Sequence, residues 1–138
     1  MKLTRRDALA LGLGATAVAM LPMRAVAAAD EAIAAFTGGA AVGEGDLSLD
    51  APEIAENGNT VPITIDAPGA TAVAIFAAGN PTPAVATFNF GPAAGSQTAS
   101  TRIRLAGTQD VIAVAQLADG SFVQTAKTVK VTIGGCGG

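Results

Sequence analysis

One residue in this chain is equipped for nucleophilic or redox chemistry, and it stands close to the end. Cys136 is the sole cysteine, set in Gly134-Gly135-Cys136-Gly137-Gly138. Glycine loses more backbone freedom on ordering than any other residue, so four glycines in five oppose helix and strand alike. The spacing predicts a flexible arm over residues 134–138, spanning at most about 3.3–3.6 Å per residue. It carries one thiol and no other side chain. A cysteine kept for packing belongs in the core; this one is placed to enter narrow sites.

A thiol reacts as the thiolate, and a free cysteine titrates near about 8.5. The nearest cations in sequence are Lys130 and then Lys127, too remote along the chain to be counted on for activation. The chain has no His, Trp or Tyr. Without histidine it lacks the commonest general base and the commonest transition-metal ligand, and no Ser-His-Asp or Cys-His site can be assembled from it. A single cysteine makes neither an internal disulfide nor a thiolate zinc site. The expectation is a non-enzyme without cofactor, whose Cys136 is activated in the pocket of another protein. That is the arrangement of a carrier.

The elements that must hold such an arm can be read upstream. Met1-Lys2-Leu3-Thr4-Arg5-Arg6-Asp7 is a basic start with paired arginines, followed by a mildly apolar stretch from Leu9 to Leu21. That stretch is shorter than the roughly 20 residues a membrane span needs. Small-x-small options at Ala25-Val26-Ala27 and Ala27-Ala28-Ala29 place cleavage after Ala27 or Ala29. Residues 1–29 therefore read as a twin-arginine (Tat) signal, and the destination as the periplasm without a membrane anchor. From Asp30 onward four cations face ten acids, a net charge of −6. Such a surface does not attract nucleic acid.

Residues 30–133 read as one domain. Asp30 to Phe36 predicts a short helix, with the two leading acids at its positive end and Gly38-Gly39 stopping it. Ile33 and Phe36 share a face, to be packed either on this domain or on a partner chain. From Leu47 the period changes to two. Leu47–Asp50, Val61–Asp66, Ala72–Ala77, Ala84–Phe90, Thr98–Leu105, Val111–Leu117 and Phe122–Ile133 read as strands, separated by turn residues. Pro62 puts its strand at an edge or at a start. Val111–Leu117 is apolar on both faces, as in a strand buried on both sides. Asp119-Gly120 signals a two-residue hairpin, and Val129, Val131 and Ile133 are expected to point inward. The predicted fold is all-β: an immunoglobulin-like antiparallel β-sandwich with a short N-terminal helix and a flexible C-terminal arm.

The terminal Ile133-Gly134-Gly135-Cys136-Gly137-Gly138, Phe36-Thr37-Gly38-Gly39, Ala51-Pro52-Glu53-Ile54-Ala55-Glu56-Asn57-Gly58, Val61-Pro62, Thr101-Arg102-Ile103-Arg104 and the twin-arginine start together resemble the SoxY family of sulfur carriers. The resemblance covers essentially the whole chain after the signal. It implies a heterodimer with SoxZ, exported folded by the Tat route. It implies that a haem enzyme, SoxAX, joins thiosulfate oxidatively to Cys136, and that the manganese hydrolase SoxB releases sulfate. A sulfane dehydrogenase, where present, oxidises the sulfur that remains. The alternative is an exported Ig-like structural subunit whose cysteine makes an intermolecular disulfide.

Overall fold

The computed structural model describes residues 22–133, with side chains from Ala28 onward. The start of the expected signal segment and the arm of residues 134–138 lie outside the described residues.

The described chain opens with helix α1, Pro22–Thr37, which begins well before the Asp30 start that the sequence predicts. Proline suits a first helical turn, where its missing N–H has no partner to lose, and the alanines that follow have the highest helix propensity. Asp30 and Glu31 consequently sit in mid-helix, both exposed, and the expected cleavage points after Ala27 and Ala29 fall inside α1. The stop is where expected. Gly38 (φ 68°) and Gly39 (φ 84°) are left-handed, and the Gly39 amide reaches back to the Ala34 carbonyl at 3.1 Å, the closing bond of a Schellman cap.

Nine strands follow among the described residues. They are β1 (Val42–Gly43), β2 (Ser48–Asp50), β3 (Ile54–Ala55), β4 (Val61–Asp66), β5 (Ala70–Ala77), β6 (Ala84–Asn89), β7 (Thr98–Ile103), β8 (Gln109–Leu117) and β9 (Phe122–Val131). The large sheet runs β1-β9-β8-β5-β6, with β3 also on β9; the small sheet runs β2-β4-β7. The result is an immunoglobulin-like sandwich, antiparallel except at β1 and β3, which lie parallel to β9 at its two ends.

Alternation builds the core between the sheets. Val61, Ile63 and Ile65 of β4 are buried, and Pro62 and Asp66 are exposed. The buried three meet Val73 and Ile75 of β5, Val111 of β8, Val129 of β9 and Leu105. Burying a side chain of this kind contributes about 1.5–3 kcal/mol. The other face of the large sheet buries Ala74, Phe76, Val114 and Phe122 under Ala32, Ile33 and Phe36 of α1. The Phe36 ring stands edge-on to Phe76 (6.4 Å) and Phe122 (5.9 Å), a favoured aromatic geometry. The helix thus packs on its own domain, and β8 is buried on both faces as predicted.

Four local differences have physical causes. β4 is the middle strand of three, but β2 joins it only from Thr64 onward. Pro62 therefore sits near the start of β4, before that pairing begins, where a residue without a donor is tolerated. The β5–β6 register shifts at Ile75/Phe76, so Val85 joins Ala86 and Phe88 against the core instead of facing away. The β8–β9 turn is a three-residue connection: the Gly120 amide (φ 87°) donates back to the Leu117 carbonyl, and the Leu117 amide donates to the Ser121 carbonyl. This is the bulged hairpin that a left-handed glycine permits. Finally, β9 stops at Val131, and Ile133 is 66% exposed rather than inward.

Candidate functional site

The described part of the site is the root of the C-terminal segment. β9 delivers it, and the stretch 53–58 holds its end. The Lys130 amide donates to the Glu53 carbonyl (2.9 Å) and the Thr132 amide to the Ala55 carbonyl (3.0 Å), in the parallel register of β3 on β9. The Thr132 hydroxyl adds a bond to the Glu56 carbonyl at 3.2 Å. Between them, the Val131 amide donates to the Thr108 hydroxyl at 3.0 Å. Further along, the Gly58 amide donates to the Ile133 carbonyl at 2.8 Å. The chain is therefore pinned by hydrogen bonds up to the residue before Gly134.

Gly58 does more than hold Ile133. Its own carbonyl accepts from the Leu105 amide at 2.8 Å. One buried glycine thus stitches the exit of β9 in the large sheet to the exit of β7 in the small one. Asn57 shapes the turn, its side chain accepting from the Asn59 amide at 3.0 Å, as Asx turns do.

That stitch brings cations to the root. Arg102 and Arg104 are exposed and flank buried Ile103 at the end of β7, next to Leu105. Arg102 donates to the Thr60 hydroxyl at 3.3 Å. The backbone behind Arg104 is fixed by buried Asn80, whose amide nitrogen donates to the Arg104 carbonyl (2.8 Å) and whose oxygen accepts from the Ala106 amide (2.9 Å). Gln109 braces Asn80 in turn, donating to the same oxygen at 2.9 Å. Lys130 is also exposed at this end of β9. Distance along the sequence singles out only Lys130 and Lys127 as cations near the thiol. Arg102 and Arg104 lie some thirty residues away along the chain, and only the pairing through Gly58 reveals them.

The two exposed large apolar residues among those described, Ile54 (58%) and Ile133 (66%), both belong to this root. Cys136 and the glycines Gly134, Gly135, Gly137 and Gly138 lie outside the described residues, so the described part of the site is its mount. Among the described residues no group of three His, Cys, Asp or Glu is placed to hold a metal ion. Every buried side-chain polar atom described has a hydrogen-bond partner. A cleft of about 610 Å³ lies between Val42–Gly45 and Gln124–Ala126, toward the opposite end of β9 from the root. No described helix is long and apolar enough to cross a membrane.

Known proteins resemble this chain in family and in fold. The family described as "Sulfur oxidation protein SoxY" matches residues 33–136, a span that reaches the cysteine. The solved structure of the sulfur carrier protein SoxY from Chlorobium limicola f thiosulfatophilum is 37% identical, covers 78% of this chain and 94% of its own, and superposes with a TM-score of 0.69. A superoxide reductase (neelaredoxin) variant from Ignicoccus hospitalis is 13% identical with a TM-score of 0.55, covering 62% of this chain and 78% of its own; that likeness concerns the fold alone. Among the curated proteins nothing matches.

Proposed function

The chain belongs to the SoxY family, whose members are sulfur carriers rather than enzymes, and from that premise we propose that Cys136 covalently holds thiosulfate-derived sulfur and presents it to partner enzymes. The observation that carries this reading is the hydrogen-bonded root. The chain is fixed through Ile133 by Gly58, and the residues beyond it are four glycines and one cysteine. A rigid mount with a short extension, bare of side chains but for the thiol, lets the cargo enter a deep site while the body stays outside.

The chemistry balances in two steps. The Cys136 thiolate and thiosulfate lose two electrons to an external acceptor and form Cys–S–S–SO3−. Water then attacks the terminal sulfonate, releasing sulfate and two protons and leaving Cys–S–S−. The chain supplies the handle, and the partners supply the acceptor and the hydrolytic groups, consistent with a sequence that contains no histidine. The partners in this reading are SoxZ as the paired subunit, and SoxAX, SoxB and a sulfane dehydrogenase as visitors. The place is the periplasm, reached through the paired arginines Arg5-Arg6.

The test is intact-mass spectrometry of protein purified without reductant from cells grown on thiosulfate. A series of species differing by sulfur atoms and sulfonate groups is expected, all lost in Cys136→Ser. A single unmodified species, or a disulfide dimer alone, overturns the proposal.

A further inference from the structure

Arg102 and Arg104 line a cleft of about 290 Å³ with Asn80, Thr82, Ala84, Val85 and Ile103. Neither guanidinium forms an ion pair among the described residues; Arg102 bonds instead to a neutral hydroxyl, that of Thr60. They are two of four cations on a chain with ten acids after the expected signal. Both side chains are exposed and line the same cleft, so an anion there would meet two positive charges, and the guanidinium fork matches a set of oxygens better than an ammonium does.

The position narrows the choice of anion. Ile133 bonds to Gly58, and Gly58 bonds to Leu105, the residue after Arg104. Hydrogen-bonded backbones lie about 4.7–4.9 Å apart, which places Leu105 roughly two such steps from Ile133. Cys136 is three residues beyond Ile133 and reaches at most about 10–11 Å from it. The cargo then adds a sulfur atom and a sulfonate. The span from the root to the arginines is therefore within reach of a loaded arm. The backbone that carries Arg104 is held by Asn80 and Gln109, so the receiving side is preorganised.

We propose that Arg102 and Arg104 form a docking cleft for the terminal sulfonate of the chain's own loaded C-terminal segment, a rest position from which partner enzymes draw the cargo. This rests on the carrier reading of Cys136. Tethering raises the local concentration of the sulfonate to the millimolar range, so a weak site suffices. A weak site is also what release requires. The acids Glu53 and Glu56 are exposed near the root. They precede Gly58 in the stretch beside β9, whereas the arginines lie on the strand beyond it, so an arm turning toward β7 leaves the acids behind.

The experiment uses the full mature chain, with any partner subunit retained. Tetrathionate loads the thiol directly: Cys–SH and S4O6(2−) give Cys–S–S–SO3−, thiosulfate and a proton. Mass spectrometry confirms the loading, so the test does not depend on what the cell attaches. The readout is the NMR signals of the Arg102 and Arg104 side-chain N–H groups, with amide relaxation of residues 134–138. Loading is expected to shift the arginine signals and slow the arm. Both effects should vanish toward 1 M salt, where the screening length is about 3 Å. In the Arg102→Gln/Arg104→Gln chain the slowing should be lost, while Arg→Lys at both positions retains part of it. Unmoved arginine signals on confirmed loading overturn the inference. Equal shifts from free thiosulfate at the same concentration on the unloaded chain also overturn it, in favour of a site for free anions. If the arginines respond but protein from thiosulfate-grown cells carries no adduct, the carrier reading fails instead.

Discussion

Gly58 shows how much a residue without a side chain can decide. Its amide holds Ile133, and its carbonyl holds Leu105, so the last described residue before the thiol is tied to both sheets at once. Asn80 plays a comparable part from inside, satisfying three main-chain or side-chain groups around Arg104 and Ala106. Asp119 acts at the turn that launches β9. The Ser121 hydroxyl donates to it at 2.6 Å and the Ser121 amide at 2.9 Å. These bonds favour the ionised carboxylate and hold its pKa below the ordinary value, side-chain bond first. The folded value being the lower one, the stabilisation is complete above the ordinary carboxylate range and is lost as pH falls through the lowered value. The Ser121 amide signal should accordingly titrate with a midpoint below that of an unstructured aspartate. A midpoint at or above the ordinary value would mean that these bonds do not hold the carboxylate in solution.

At the scale of elements, β3 matters out of proportion to its two residues. It and the bonds around it clasp the end of β9. Thr132→Val removes the hydroxyl bond to the Glu56 carbonyl, worth about 0.5–1.5 kcal/mol. Exchange of the Lys130 and Thr132 amides should then accelerate by up to about tenfold, with the global unfolding midpoint nearly unchanged. Unaltered exchange at those two amides would mean that the clasp does not depend on that side chain. The same element marks the limit of what is legible in the sequence. Strands β4 to β9 are legible because each carries enough residues for a period of two to show, and because glycine, proline and asparagine punctuate them. A two-residue parallel pairing has no period, so β1 and β3 leave no trace in the sequence. The inward reading of Ile133 extends a pattern past the point where β9 loses its ladder, and exposure follows from that loss. The start of α1 is masked because the acids at Asp30 and Glu31 look like a cap, while the alanines before them simply continue the helix. The arm expected from composition lies outside the described residues, and nothing in the sequence pattern announces the arginines near its root. Their proximity is a product of folding, through Gly58.

Across the whole molecule, the middle of β9 is the exposed seam of the large sheet. β1 covers residues 122–123 and β3 covers 130–131, leaving the stretch between without a paired strand on that side among the described residues. Lys127 lies in that stretch and shares the inward-facing alternation of Val129. An inward charge on an open edge discourages a second strand from adding there. Lys127→Val should therefore increase self-association, seen by sedimentation velocity as a larger dimer fraction at equal concentration; an unchanged distribution would show that the edge is protected otherwise. The clasp has a further consequence when a partner pulls. A tug on the terminal segment is directed along β9, whose end is bonded to β8 on one side and to the stretch 53–58 on the other. Force applied along a strand shears its hydrogen bonds together rather than opening them one after another, so the load is shared between both flanks. A pull along β9 is thus met by hydrogen bonds on two flanks at once, in a shear geometry, before the sandwich itself is opened.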